Sequence, residues 1–439
     1  MTPTTARPGA PVPVRPPAAA DARLDPIAVR ALFPALAGTD RAYLDSASTT
    51  QVPSPVLDAV RDVLAAPAAN PGRGAHPWAA AAAGRVERAR GRLAAFLGAA
   101  PDEVVLTTGA TAAANAVAHA WGLATLQDGD EVLLSPTDHA STVLPWVRVR
   151  DLLAARGRRI RLVAYRTTRS GEADVEDVRT RLGARTRVVV LTHVHGVLGG
   201  RSTLEEVDLP TGAVLVVDAT QSAGHGRVDV GALRADFLYL SAHKMFGLPG
   251  AGALVCRRRT HDRLGPAFPG GTGDGGPAVG AGRGDDATGL EDLRVPGGPR
   301  ALESGSANVP AVVALEAAAD FVDGLGPEAV AAHTADLTLR LVDGLRAVPR
   351  VRLLPGVAHA ACRVGHGIVS FTVDGERSDD VGFALAEHGV DVRAGRQCLA
   401  VRGAIGDPVR ASVHAYTTPD DVDRLVGTLR DLVAGAPHG

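Results

Sequence analysis

Six short runs rich in valine and leucine, each almost unbroken in hydrophobicity, limit most sharply what this chain can fold into: 104–107, 131–135, 187–192, 213–217, 237–241 and 252–256. A strand with one wet face alternates apolar and polar residues, so unbroken runs of this length belong to strands covered on both faces. Helical stretches at 110–126, 141–156 and 175–182 separate several of them. The alternation predicts an α/β fold, with a mostly parallel sheet and helices on both sides. Such sheets bind ligands beyond the carboxyl ends of their strands. After about residue 310 the pattern becomes a long helix, strands near 351–354 and 367–373, and a final helix at 418–434. We expect a large domain over 23–309 and a smaller C-terminal α/β domain over 310–439.

A chain of 439 residues suits about two domains. A net charge of −2 gives no general attraction to nucleic acid or a membrane surface, and no apolar run is long enough to span a bilayer. Residues 1–22, rich in Pro, Ala, Thr and Arg, lack the apolar centre of a signal peptide and read as a disordered arm. Three cysteines, Cys256, Cys362 and Cys398, do not suit a disulfide framework and fit a reducing cytoplasm. Cys256 and Cys362 stand in apolar surroundings and read as core residues. Segment 265–300 reads as a long loop; its Gly271-x-Gly273-x-x-Gly276 follows no strand and opens no helix, so it is not a dinucleotide fingerprint.

Lys244 is the only lysine among 46 Lys and Arg residues. Unless it survives by chance, it stands where arginine fails. Arginine stays protonated, whereas a desolvated lysine amine can lose its proton and condense with a carbonyl. The run 237–241 leads directly into Ala242-His243-Lys244, placing Lys244 at the carboxyl edge of the sheet. One strand earlier, 213–217 ends at Asp218. A carboxylate there is costly unless it meets a cation or a donor. Pyridoxal phosphate needs this pair: a lysine for its aldehyde and a carboxylate to hold its pyridine nitrogen protonated. Taken alone, Asp218 reads as a helix N-cap. Leu106-Thr107-Thr108-Gly109-Ala110-Thr111 leads from a strand into a helix whose free N–H groups and dipole favour an anion. The Ala110 amide and Thr111 are therefore phosphate candidates, with Ser241 and His243 approaching from the lysine side. His139, in Asp138-His139-Ala140, is placed either to stack on a planar cofactor or simply to meet solvent.

Ser241-Ala242-His243-Lys244-x-x-Gly247, Asp218-x-x-Gln221, Gly109-Ala110-Thr111, Glu303-x-Gly305-Ser306-x-Asn308 and Arg410-Ala411-Ser412 together resemble the class V, fold-type I enzymes that depend on pyridoxal phosphate. Within that class the chain is most similar to the Suf-type (group II) cysteine desulfurases and selenocysteine lyases, from about Tyr43 to Leu432. The resemblance implies that Lys244 binds the cofactor covalently and later shuttles protons. It gives the pyridine nitrogen to Asp218, the phenolic oxygen to Gln221 and the ring face to His139. The phosphate falls to Ala110, Thr111, Ser241 and His243, with Ser306 reaching in from the partner in a homodimer. Arg410 would clamp the substrate carboxylate, as a planar bidentate donor suits. Arg73 and His76 match a segment near the substrate entrance.

Cys398 discriminates best among reactions. It ends Val392-Arg393-Ala394-Gly395-Arg396-Gln397-Cys398, which resembles the desulfurase catalytic loop. Its thiolate would attack the substrate's sulfur and hold it as a persulfide, with Arg393 and Arg396 favouring the ionised form and Arg393 also near the substrate. The other reading is a small buried apolar side chain. The implied activity is conversion of L-cysteine to L-alanine, with sulfur passed to an acceptor protein for iron–sulfur or thio-cofactor synthesis. Two departures stand out. Gly196 replaces an asparagine that touches the phenolic oxygen, a contact His195 is placed to supply; Arg396-Gln397 replaces two histidines before the cysteine. They keep open a C–S lyase or another class V enzyme of specialised metabolism, and, more remotely, a non-catalytic scaffold. No metal is expected: His193-x-His195 shares a strand face but has no Cys, Asp or Glu cluster beside it.

Overall fold

The six apolar runs are strands of one sheet, and a seventh, less apolar strand completes it. The computed structural model describes residues 23–71, 74–268, 270, 295, 297–357, 366–401 and 403–435. The arm 1–22, Arg73, Cys362 and the Gly271-x-Gly273-x-x-Gly276 run lie outside the described residues. In chain order the strands are β1 (Ala42–Tyr43), β2 (Val104–Thr107), β3 (Glu131–Leu134), β4 (Arg161–Ala164), β5 (Thr186–Thr192), β6 (Val214–Asp218), β7 (Phe237–Ser241), β8 (Gly252–Cys256), β9 (Val351–Leu353), β10 (Ile368–Val373), β11 (Val390–Asp391) and β12 (Val409–Ser412). The described helices of eight residues or more are α1 (Ser54–Ala65), α2 (Pro77–Leu97), α3 (Ala110–Val117), α4 (Ala140–Ala154), α5 (Val309–Leu325), α6 (Pro327–Arg346), α7 (Ser378–Glu387) and α8 (Pro419–Gly435).

The large sheet has the order β2-β8-β7-β6-β5-β3-β4. Its pairings from β4 through β7 are parallel; β8 runs against both its neighbours. Successive residues of each strand enter different cores. Val189, Leu191, Leu215, Val217, Leu238 and Leu240 pack on one face, and Val188, Val190, Val214, Val216, Phe237 and Tyr239 on the other. Each buried Val or Leu contributes roughly 1.5–3 kcal/mol, which is why these strands carry no polar alternation. The edge strand β4 exposes Arg161 and Ala164, so its apolar signal is weak.

Two helical expectations change. The stretch 110–126 is α3 followed by a π-turn over Ala118–Gly122 and a short helix Leu123–Thr125. The long helix after 310 is two helices: Gly326 stops α5 at φ 83°, and Pro327 opens α6. Glycine takes the left-handed conformation without a Cβ penalty, and proline suits a first turn.

The second sheet, β12-β10-β9, is antiparallel. The N-terminal strand β1 pairs with β11, and Ala42 and Leu44 pack into the same core as Leu341, Phe371 and Leu425. A buried cation ties the 303–308 segment to the large sheet. Arg90 on α2 is 1% exposed; it pairs with Glu303 (Nη2 to Oε2, 2.9 Å) and donates to the Val104 carbonyl at 2.8 Å. Glu303 Oε1 also accepts the Leu106 N–H at 2.7 Å. Removing the cation strips Glu303 of its buried ion pair, leaving it the Leu106 N–H and Arg300 at 3.9 Å, and takes one donor from the Val104 carbonyl. Arg90→Met is expected to cost about 3 kcal/mol in urea denaturation; a loss below about 1 kcal/mol would contradict this account.

Candidate active site

One cavity at the carboxyl edge of the large sheet gathers most of the chemistry-bearing residues. Ala110, Thr111, His139, Asp218, Gln221, Ser241, His243 and Lys244 line it from the large sheet and its helices; Arg393, Cys398 and Arg410 line it from the C-terminal part. Ser306 instead lines a separate groove with Arg90 and Glu303. His76 caps α2, its Nδ1 accepting the Ala79 N–H at 3.4 Å, and does not line the cavity.

Lys244 ends a short 3₁₀ turn that follows β7 directly. Two residues on, Phe246 takes φ 71°, a strained conformation for an aromatic residue. Its buried ring packs among Phe33, Phe321 and Tyr416, and its N–H donates to Thr50 Oγ1 at 2.7 Å. A Cβ on Gly247 would sit 2.9 Å from Ala242 Cβ, so the turn admits no larger residue there. These contacts hold the lysine in place at the cost of local strain. Burial and the nearby charge of Arg410 bring the Lys244 amine down to about 8, against the opposing pull of Asp218. A substantial fraction of the amine is then neutral and nucleophilic near physiological pH.

Asp218 is 8% exposed and well supplied with donors. Its Oδ1 accepts the Thr220 N–H at 2.9 Å within a turn; no helix begins there, so Asp218 is not a helix N-cap. Its Oδ2 accepts from Thr142 Oγ1 at 2.8 Å, and the Tyr239 hydroxyl donates to that same Thr142 oxygen at 3.3 Å. Burial and Asp218 push the Tyr239 hydroxyl well above its usual range, so it remains a donor. Thr142 and Tyr239 are missing from the sequence reading; the only hint is that Thr142 falls on the first turn after His139.

The anion-binding end is built on close backbone approach. Gly109 has φ 142°, and a Cβ on Gly252 would lie 2.7 Å from Gly109 Cα, so β8 passes hard against the start of α3. The Ala110 N–H donates to Ser241 Oγ at 2.7 Å, and Thr111 Oγ1 meets Ser141 Oγ at 2.8 Å. His243 is half-buried, and burial lowers its pKa. A helix N-terminus with hydroxyls around it suits a phosphate.

His139 is the N-cap of α4, its Nδ1 accepting the Ser141 N–H at 3.1 Å. Burial, then Lys244, lowers its pKa, so the ring is neutral. His195 does not supply the contact expected of it. Its Nε2 bonds the Thr137 carbonyl at 3.0 Å and its Nδ1 accepts the Val197 and Leu198 N–H groups at 3.2 Å. Burial brings it down to about 4. His193 is likewise engaged, with Ser222 Oγ at 2.9 Å and Arg201 Nε at 3.0 Å.

Arg410 is 6% exposed. It donates to the Gly196 carbonyl at 2.8 Å, Ser48 Oγ at 2.8 Å and Asp45 Oδ1 at 3.2 Å, while its buried Nε has no protein partner. An incoming carboxylate would satisfy that donor. Cys398 is exposed, which removes the buried-apolar reading, whereas Cys256 is buried at the end of β8. The cysteine's loop is fastened to the start of α4: the Ala140 N–H donates to the Cys398 carbonyl and the Ala400 N–H to the Asp138 carbonyl, both at 2.9 Å. Arg393 Nη2 lies 3.9 Å from Cys398 Sγ, and Arg393 and Arg410 exchange backbone hydrogen bonds at 3.1 and 2.7 Å. An amine, a donor-held carboxylate, a helix N-terminus and a guanidinium with an orphaned donor form a set that fits pyridoxal phosphate and an amino acid.

The model of the aminotransferase class-V family matches residues 42–425. A probable cysteine desulfurase 2 from Mycobacterium leprae (strain TN) is 35% identical over 426 residues, covering 93% of this chain and 97% of its own. A cysteine desulfurase from Dickeya dadantii (strain 3937) is 34% identical over 421 residues, covering 92% and 96%. The solved apo structure of a cysteine desulfurase from Thermococcus onnurineus NA1 matches with a TM-score of 0.82 at 29% identity, over 95% of this chain and 100% of that one.

If Lys244 acts through its neutral amine, covalent loading with pyridoxal phosphate accelerates about tenfold between roughly pH 7 and pH 9. Stopped-flow absorbance checks this, and Lys244→Arg should abolish the covalent signal. A flat profile would contradict the assignment.

Proposed function

This chain belongs to the class-V aminotransferase family, and we propose that within it the protein works as a pyridoxal-phosphate-dependent cysteine desulfurase. The observation that carries the reading is the convergence of Lys244, Asp218 and Arg410 in one cavity with an exposed, backbone-fastened Cys398 on its rim. When bound, pyridoxal phosphate accepts the electrons released as bonds at the substrate's α-carbon break. The protein's residues supply the rest. Arg410, whose side chain lines the cavity, would bind the substrate carboxylate through its guanidinium fork. Asp218, fixed by Thr142 and Thr220, holds the cofactor's ring nitrogen, and Gln221 Nε2, which donates to the Ala47 carbonyl at 2.9 Å, faces the phenolic oxygen. His139 stacks on the ring as a neutral imidazole. Thr111, Ser241 and His243 would hold the phosphate, joined by the Ala110 N–H if it exchanges its bond to Ser241 Oγ.

Lys244 Nζ anchors the cofactor and, once released, carries the α-proton; an amine titrating near 8 can both take and return it. Cys398 Sγ takes the substrate's sulfur as a persulfide while alanine leaves, and Arg393 sits beside that sulfur. Exposure of Cys398 leaves the persulfide within reach of an acceptor protein. The proposal includes a homodimer in which Ser306, outside the cavity of its own chain, completes the phosphate site of a second copy. It also includes a cytoplasmic setting, supported by free Cys256 and Cys398. Among the described residues no helix is long and apolar enough to cross a membrane.

Product analysis tests the reading. With L-cysteine and a thiol reductant, the loaded protein should form alanine and sulfide, and Cys398→Ala should lower alanine formation roughly a thousandfold. Pyruvate that persists in the mutant would make the protein a C–S lyase instead. Arg410→Lys should raise KM for cysteine at least about tenfold with a smaller change in kcat, because lysine lacks the bidentate fork.

A further inference from the structure

A second carboxyl in the cavity wall takes no part in the chemistry above. Asp138 is 2% exposed and lines the cavity with Asp218, Thr192 and His139. Its Oδ2 is buried without a hydrogen-bond partner. The groups that act on it are the Thr192 hydroxyl at the end of β5, the Ser135 backbone, Asp218 at the end of β6, Tyr239 on β7 and Tyr165 after β4. None of them is a cation. Thr192 Oγ1 is itself without a partner, so it lies near without completing a hydrogen bond. Its backbone is fastened as well: its carbonyl accepts the Ala400 N–H and its own N–H bonds the Ser135 carbonyl at 3.3 Å.

Two carboxylates in one cavity wall, with Lys244 the cation that interacts with Asp218 and no cation set against Asp138, cannot both ionise cheaply. Asp218 has two donors aimed at its oxygens; Asp138 Oδ2 has none. We propose that Asp138 is a positioning residue that keeps a proton, so that Asp218 alone carries the negative charge of this wall, and that it releases that proton when a cation settles against Asp218. Burial pushes the Asp138 carboxyl up to about 7, with Thr192 pulling the other way and Asp218 adding to the rise, so the exchange falls near neutral pH. The sign follows from linkage: a cation at Asp218 cancels the repulsion that keeps Asp138 protonated, so binding lowers its proton affinity and frees a proton. The second half of the proposal rests on pyridoxal phosphate being that cation's source, through its protonated ring nitrogen.

Two measurements on the full chain test it. Titration calorimetry in buffers of different ionisation enthalpy counts the protons released when pyridoxal phosphate binds at about pH 7. Wild type should release roughly half a proton more than Asp138→Asn. Equal counts, with both proteins binding the cofactor, would overturn the coupling. Infrared difference spectra of the cofactor-free protein should show a protonated-carboxyl band in wild type that disappears between roughly pH 6 and pH 8 and is missing from Asp138→Asn. Asp138→Glu, which keeps a carboxyl, should retain a titrating band with a displaced midpoint. A wild-type spectrum without that band overturns the stored proton whatever the cofactor does. If pyridoxal phosphate binds neither protein, the cofactor reading fails instead, and the infrared measurement still decides whether Asp138 is protonated.

Discussion

Asp218 occupies the last position of a strand whose five residues are all buried, in register with Thr192 on one side and Tyr239 on the other. The cost of desolvating an ionisable group at that point governs the rest of the site. Inside the sheet no charge is tolerable, because both faces are packed with apolar side chains; beyond the strand ends a charge survives only if donors or opposite charges meet it. Asp218 is met by a hydroxyl and an amide, Arg410 by a carbonyl, a hydroxyl and a carboxylate, and Lys244 yields part of its proton. The same rule that empties the strands of polar residues concentrates reactive groups at one edge.

The site draws on two cores. Lys244, Asp218 and the start of α3 belong to the large sheet, whereas Arg410 lies on β12 of the smaller one. The N-terminal segment joins them: β1 extends the small core, Asp45 and Ser48 hold Arg410, and Thr50 receives the Phe246 N–H behind the lysine. The nine residues from Ala42 to Thr50 therefore align the carboxylate clamp with the amine. A left-handed phenylalanine persists in that alignment because its ring is locked in an aromatic cluster.

Much of this was legible in the sequence, for a physical reason. Asp218 ends a strand and Lys244 and Ala110 each follow one within three residues, so a local pattern was enough to send them to the same edge. Cys398 was marked by its two arginines and by the motif around it. What stayed hidden depends on contacts between distant segments. Nothing near Asp45 announces that it meets a residue 365 positions away. Thr142 and Tyr239 look like ordinary helix and strand residues until Asp218 is set between them. His195 seemed free to reach a ligand, yet three backbone groups consume its ring. The single long helix expected after 310 is split at Gly326 and Pro327.

The loop that carries Cys398 is fastened to the start of α4 by two backbone hydrogen bonds. Each such bond contributes only about 0.5–1.5 kcal/mol net, so undoing both costs on the order of 2 kcal/mol. The packing of Leu399 and Ala400 adds to that, so the loop is held by more than its two bonds. The latch presents the thiol over the cavity from a loop whose Leu399 and Ala400 also rest on the two cores. Its two anchors flank His139, so the seat of the cysteine and the residue poised to cover the ring are held as one piece.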